Sequence, residues 1–428
     1  MENAVQESTS GRKIFPGWLA FIGGIAAVIF HGATSSTGGY VLSAMVLQEG
    51  ISSTVPGYCA SLISLCSVLF AAPFGAFVAK KGHKMGLLAG ELAALIGFGT
   101  LAFAPANGAL TIFMYLFLGF SVVVACKVGG PSLVNHWFQK RKELPMTLVI
   151  AAGSLGSIFS GVAASIVSKG GWRSGWMFMM GLTIASTVFV VLFVRDDVHG
   201  IGEVRDGKAW RIAHGIDLDD SEVKKDAKSG GKGKNSDLVK NPRFLLFSLA
   251  CLFRMGSYSA CIGYITLIIV SKGFTKEQAV LAVGSVALSS VVGRLSAPLW
   301  SKVLKLSYIN VNRVANILMA LGAFIIFFSA NLTFLSFAAM LIGFSYGMGY
   351  VSQTLTLSEL FPQYEFTASF SAFTTVVNLS FIFPTVVGVI GAALGGYGEI
   401  YLAFAVVNVV FAFLYGFCKD KNAAAAEA

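Results

Sequence analysis

Apolar residues along this chain do not alternate with polar ones. They run for about twenty residues at a time and then give way to short polar connections. A helix rising about 1.5 Å per residue needs roughly 20 such residues to cross the hydrocarbon core of a bilayer. Twelve runs meet that length, at approximately 17–44, 54–79, 85–104, 109–134, 145–168, 174–194, 243–270, 277–301, 309–330, 334–357, 367–390 and 400–418. The pattern predicts an all-α membrane protein of twelve transmembrane helices in two six-helix halves. A tail over 1–16 precedes the first half, 17–194, and a tail over 419–428 follows the second, 243–418. The linker, 195–242, contains "KKDAKSGGKGKNSDLVKNP", which has too little apolar surface to bury a core. "AAPFG" near the end of the second run and "SAPLW" near the end of the eighth place Pro73 and Pro298 at corresponding points, an echo between the halves.

Composition agrees with that class. Of 428 residues, 55% are hydrophobic and only 12% charged, against roughly 25% charged in soluble domains. The net charge of +10 therefore has a membrane reading before a nucleic-acid one, and no nucleic-acid partner is expected. Lys and Arg in short loops gather on one side, at Arg12, Lys13, Lys80, Lys81, Lys84, Lys140, Arg141, Lys142, Lys302 and Lys305. Such residues mark the cytoplasmic face, so both termini and the linker are expected there, in a multi-pass protein of the cell membrane. A monomer is compatible with this pattern. The six cysteines form no Cys-x-x-Cys pair and have no His at metal-ligand spacing, so neither a metal nor a cofactor is expected. No nucleophile and base, or phosphate loop, stands at a spacing that suggests an enzyme.

Ionisable residues inside spans are expensive and usually face a bundle interior or a cavity. Here they are His31, Glu91, Lys127, Arg254 and Arg294. Arg254 lies about eleven residues into its span, roughly 16 Å, too deep for easy snorkelling. Arg294 and Lys127 are shallower, and each could instead reach for the headgroups. Lys127 and Glu91 stand at matching depth and could form an ordinary ion pair. No Asp or Glu lies deep in a C-terminal-half span, so a bound anion would supply the counter-charge for Arg294 and Arg254. A guanidinium matches the two oxygens of a carboxylate. His31 reads either as a cavity residue or proton carrier, or as a packing histidine. Tyr40, Tyr258, Tyr346, Tyr350 and Asn378 are further groups able to hydrogen-bond a substrate.

The segment "GGPSLVNHWFQKRKELPMTLVIAAGSLGSIF", Gly129 to Phe159, with "FPGWLAF" before the first span and "GGWR" at Gly170 to Arg173, resembles the monocarboxylate transporter and oxalate/formate antiporter branch of the major facilitator superfamily. The resemblance covers the whole chain. It implies a carboxylate-binding arginine in span eight, where Gly293-Arg294 stands, and a cavity lined by spans one, four, seven and ten. Three positions depart from the branch. Ala79 replaces the aspartate of the loop after span two, Ser290 stands one turn before Arg294 where monocarboxylate carriers commonly have a proton-handling aspartate, and span eleven has Asn378 but no lysine.

The expected function is secondary transport of a small organic anion, a monocarboxylate first, by alternating access, as proton symport or anion exchange. Two alternatives remain: an exporter of amphipathic drug-like compounds and a non-transporting membrane sensor.

Overall fold

The computed structural model describes residues 15–418 apart from 53–54, 197, 199–201, 219–234, 363, 365 and 395. Both tails and most of the lysine-rich stretch lie outside the described residues, save for Phe15 and Pro16. Among the described residues all regular structure is helical. The helices are α1 (Pro16–Glu49), α2 (Val55–Lys81), α3 (His83–Phe103), α4 (Gly108–Val122), α5 (Gly130–Trp137), α6 (Glu143–Leu155), α7 (Phe159–Phe193), α8 (Lys208–Ala213), α9 (Asn235–Lys240), α10 (Pro242–Ser271), α11 (Lys276–Val303), α12 (Tyr308–Phe328), α13 (Leu332–Leu360), α14 (Phe366–Asn378), α15 (Ile382–Leu394) and α16 (Gly398–Leu414).

Several join end to end. A π-helical stretch, Val123–Gly129, continues α4 into α5. Its cause is local: Pro131 has no N–H to donate and its ring crowds the carbonyl four residues back, so the ladder widens. Glu143–Phe193 is one helical run of 51 residues, far longer than the roughly 20 that a crossing needs. Gly171, with φ 75° and ψ 177°, breaks it, so the run supplies two passes. Pro73 and Pro298 both lie inside their helices, α2 and α11. By length and composition ten runs could cross a membrane; the two passes of Glu143–Phe193 and the 28-residue α11 bring the passes to the twelve that hydropathy predicts.

The chain divides into two compact units, one on residues up to Lys232 apart from Ser67–Ala72, the other from Gly233 onward apart from 365–368. In the first, Leu42, Phe98, Leu118 and Trp176 are buried in one core cluster. In the second, Ile265, Met319, Ile342 and Tyr401 share another. Within the second unit α11 and α13 meet backbone to backbone. A Cβ built on Gly293 would collide with the Phe344 carbonyl oxygen, and one on Gly347 with that of Ser290. Small residues make that approach possible, and it seats Arg294 beside α13.

Part of the segment after the sixth pass is built onto the first unit. The Asp196 carboxylate accepts from the backbone N–H of His83 at 2.7 Å and of Lys84 at 3.1 Å, capping α3 from outside its own sequence. Gly82, at φ 87° and with no room for a Cβ beside Asp196, fits only as glycine. Buried Asp206 accepts from the backbone N–H groups of Gln139, Lys140 and Arg141. The Arg141 guanidinium sits 5.0 to 5.6 Å from the ring centroids of Phe15, Trp18, Phe138 and Trp210. Burial there pulls its pKa below the ordinary value, while Asp206 pushes it back up. Composition alone did not reveal this docked start of the linker.

Candidate functional site

Two sets of ionisable residues stand out, one in each unit. In the second, α13 presents Tyr346, Gly349, Tyr350 and Gln353 at the three- and four-residue spacings that share a helix face. Arg294 on α11 is 8% exposed, and its Cζ lies 5.7 Å from the Tyr346 centroid and 5.6 Å from that of Tyr350. Tyr258 of α10 stacks on Tyr346, with ring centroids 3.6 Å apart and planes within 5°. Tyr346 and Tyr350 are themselves 5.8 Å apart. Four of the residues expected from sequence thus come together: a guanidinium fork and three tyrosines.

Arg254 is held otherwise. It is fully buried; its Nη1 donates to Asn312 Oδ1 at 2.9 Å and Asn316 Oδ1 at 3.2 Å, and its Nη2 to the Gly349 carbonyl at 2.9 Å and Gln353 Oε1 at 2.8 Å. Neutral acceptors meet both terminal nitrogens of this guanidinium, its Nε has no partner among the described residues, and among the described residues no carboxylate lies within ion-pair distance of it. The sequence argument that a deep arginine awaits an external anion therefore does not transfer to Arg254. The missed signal was Asn312 and Asn316 on α12, four residues apart and completely buried, a polar pair in an apolar helix. Arg254 and Arg294 nonetheless contact the same stretch of α13.

Asn378 closes its own helix, donating to the Thr374 carbonyl at 2.7 Å. Tyr40, near the end of α1, is 41% exposed. Ser290, 5% exposed, gives its carbonyl to the close contact with Gly347.

In the first unit His31 and Glu91 are buried together, with Nε2 3.0 Å from Oε2. Ser186 Oγ donates to Glu91 Oε1 at 2.5 Å, and Thr187 Oγ1 to Oε2 at 3.5 Å. Lys127 lies in the π-helical stretch, which packs against both α1 and α3. The sequence reading paired Glu91 with Lys127 as one option; the His31 contact, sixty residues away in sequence, was outside its reach.

The family model of the Major Facilitator Superfamily matches residues 23–384. No curated protein matches the sequence. Among solved structures, the E. coli fucose:proton symporter FucP is 15% identical with a TM-score of 0.71, over 95% of this chain and 99% of its own. The proton:xylose symporter XylE bound to 6-bromo-6-deoxy-D-glucose is 14% identical with a TM-score of 0.69, over 95% of this chain and 96% of its own. At these identities the likeness is one of fold.

Proposed function

The chain belongs to the Major Facilitator Superfamily and is a multi-pass membrane transporter; from that premise we propose that its cargo is a small organic anion, in the simplest case a monocarboxylate, moved by alternating access. One observation carries the reading: Arg294, a permanent charge in an apolar helix, packed beside the rings of Tyr346 and Tyr350. In a low-dielectric site a guanidinium binds a carboxylate by two parallel charge-assisted hydrogen bonds, stronger and more directional than neutral ones. Tyrosine adds an apolar wall and a hydroxyl donor. The short aliphatic part of a monocarboxylate would lie against the rings while its oxygens meet the fork.

The branch resemblance supports the same residue for the same role, carried by Gly293-Arg294. Arg254, whose two terminal nitrogens donate to neutral acceptors, is assigned to architecture. The loop lysines and arginines support cytoplasmic termini in the cell membrane.

Thermal unfolding of the detergent-purified protein against monocarboxylates, dicarboxylates, their amides, neutral sugars and amphipathic cations tests the cargo class, because a ligand that binds only the folded state raises the midpoint. Stabilisation by carboxylates and not by their amides is the expected result. Stabilisation by sugars or amphipaths alone would refute the anion.

A further inference from the structure

The branch resemblance would put a proton-handling aspartate one turn before Arg294, and this chain has Ser290 there. The buried acid–base chemistry lies in the other unit. His31 and Glu91 are 2% and 1% exposed. Their 3.0 Å contact joins α1 to α3, two helices of different sequence neighbourhood. Glu91 is oriented by hydroxyls from α7, Ser186 on one oxygen and Thr187 on the other. His31 Nδ1 is buried and makes no hydrogen bond to any described residue. A structural histidine usually satisfies both ring nitrogens when buried. Here Nε2 faces the Glu91 carboxylate at 3.0 Å, yet neither ring nitrogen has a hydrogen-bond partner among the described residues.

We propose that His31 and Glu91 together bind the proton that drives transport, so that the proton site sits in the first unit and the anion site in the second. This rests on the anion reading given above. In the empty state the imidazole is neutral and Glu91 ionised; the imidazole lone pair then takes a proton, one N–H bond forms, and the imidazolium lies against the Glu91 carboxylate. Release breaks that bond and returns the lone pair, with no change in oxidation state. The pair carries one negative charge when empty and none when loaded, a large difference in a medium that screens charge poorly. Ser186 keeps a carboxylate oxygen in place through both states. Among the described residues, Cys126 interacts electrostatically with Glu91 and with Lys127; Cys126 and Lys127 both lie on the π-helical stretch that packs against α1 and α3. Cys126 Sγ donates to the Val28 carbonyl, one turn before His31.

The test uses the full chain and the variants Glu91→Gln and His31→Gln, the first preserving shape and the acceptor for Ser186. Infrared difference spectra between acid and alkaline pH, recorded without any carboxylate, read proton binding directly. A carboxylate or imidazole band present in the wild type and absent from both variants is expected; an unchanged difference spectrum in both would overturn the site. In proteoliposomes with pyruvate as probe, the wild type is expected to accumulate pyruvate about tenfold per unit of inward pH gradient for one proton per anion. Glu91→Gln and His31→Gln are both expected to lose that accumulation. Accumulation by both variants equal to the wild type would overturn the coupling. A wild type that titrates in the infrared yet binds no carboxylate of the panel would support the proton site and refute the anion reading on which the coupling rests.

Discussion

Tyr258 and Tyr346 lie ring on ring, 3.6 Å between centroids and 5° from parallel, although 88 positions separate them in the sequence. The stack fixes the ring that packs beside Arg294. Aromatic pairs contribute about 0.5–1.5 kcal/mol beyond their buried area, and a desolvated cation over a ring up to about 2 kcal/mol. Tyr258→Phe keeps the stack and is expected to leave carboxylate affinity within about threefold, whereas Tyr346→Ala removes both contacts and is expected to weaken it by roughly tenfold or more. Titration calorimetry with a carboxylate that stabilises the wild type checks both; equal affinities in the two variants would count against the aromatic wall.

Arg254 makes a contrasting prediction, because its cage is internal. Arg254→Ala leaves Asn312, Asn316 and Gln353 buried without the donors they now accept from. Each buried amide oxygen left without its donor costs about 1–3 kcal/mol. A large fall in the unfolding midpoint is expected. Where enough folded variant survives, carboxylate affinity should stay near that of the wild type, and a selective loss of affinity with no loss of stability would place Arg254 in the binding site instead.

The approach of α11 to α13 predicts a steric result. Gly347→Val puts a branched side chain onto the Ser290 carbonyl, and overpacking of this kind typically costs about 1–3 kcal/mol. A lower unfolding midpoint is expected, with weaker carboxylate binding because Arg294 shifts relative to Tyr350. An unchanged midpoint would mean that the helices separate at little cost.

Asp196 predicts a pH dependence on the loop side of the first unit. Burial raises its carboxyl, but the His83 ring and the backbone N–H groups of Lys84 and His83 together outweigh that and hold it below the usual aspartate range. A depressed carboxylate contributes stability above its unfolded pKa and loses it as pH falls through the folded one. The contribution is thus complete above about pH 4 and fades below it. Asp196→Asn should flatten the acid limb of the unfolding midpoint measured from pH 6 to pH 3; an identical acid limb would show that the cap has no role in stability.

Hydropathy made the passes legible because a bilayer imposes one length on every crossing, and the twelve predicted runs correspond to helical passes. The two runs at 145–168 and 174–194 were separate in hydropathy, and Gly171 is where the helix breaks. Arg294 stood out as a charge in a small-residue helix, and Tyr346 and Tyr350, four residues apart, share one face of α13 by spacing alone. For Arg254, depth reports cost but not who meets it; its partners come from α12 and α13. The His31–Glu91 contact and the clamps of Asp196 and Asp206 join residues 60 to 113 positions apart, and nothing local in the sequence encodes them. Aspartates in a charged linker look like solvated residues until the backbone N–H groups they accept from are in place.

The central claim is that Arg294 holds the carboxylate of the cargo. Uptake of a radiolabelled carboxylate from the stabilising set into proteoliposomes, compared between wild type, Arg294→Lys and Arg294→Gln at equal reconstituted and folded protein, tests it most directly. Loss of a bidentate charge-assisted pair is worth about 1.5–3 kcal/mol, roughly tenfold to a hundredfold. The account predicts saturable wild-type uptake that other carboxylates inhibit and their amides do not, weakened uptake in Arg294→Lys, and none above background in Arg294→Gln. Wild-type rates and half-saturation in Arg294→Gln would contradict it and leave Arg294 as a packing charge.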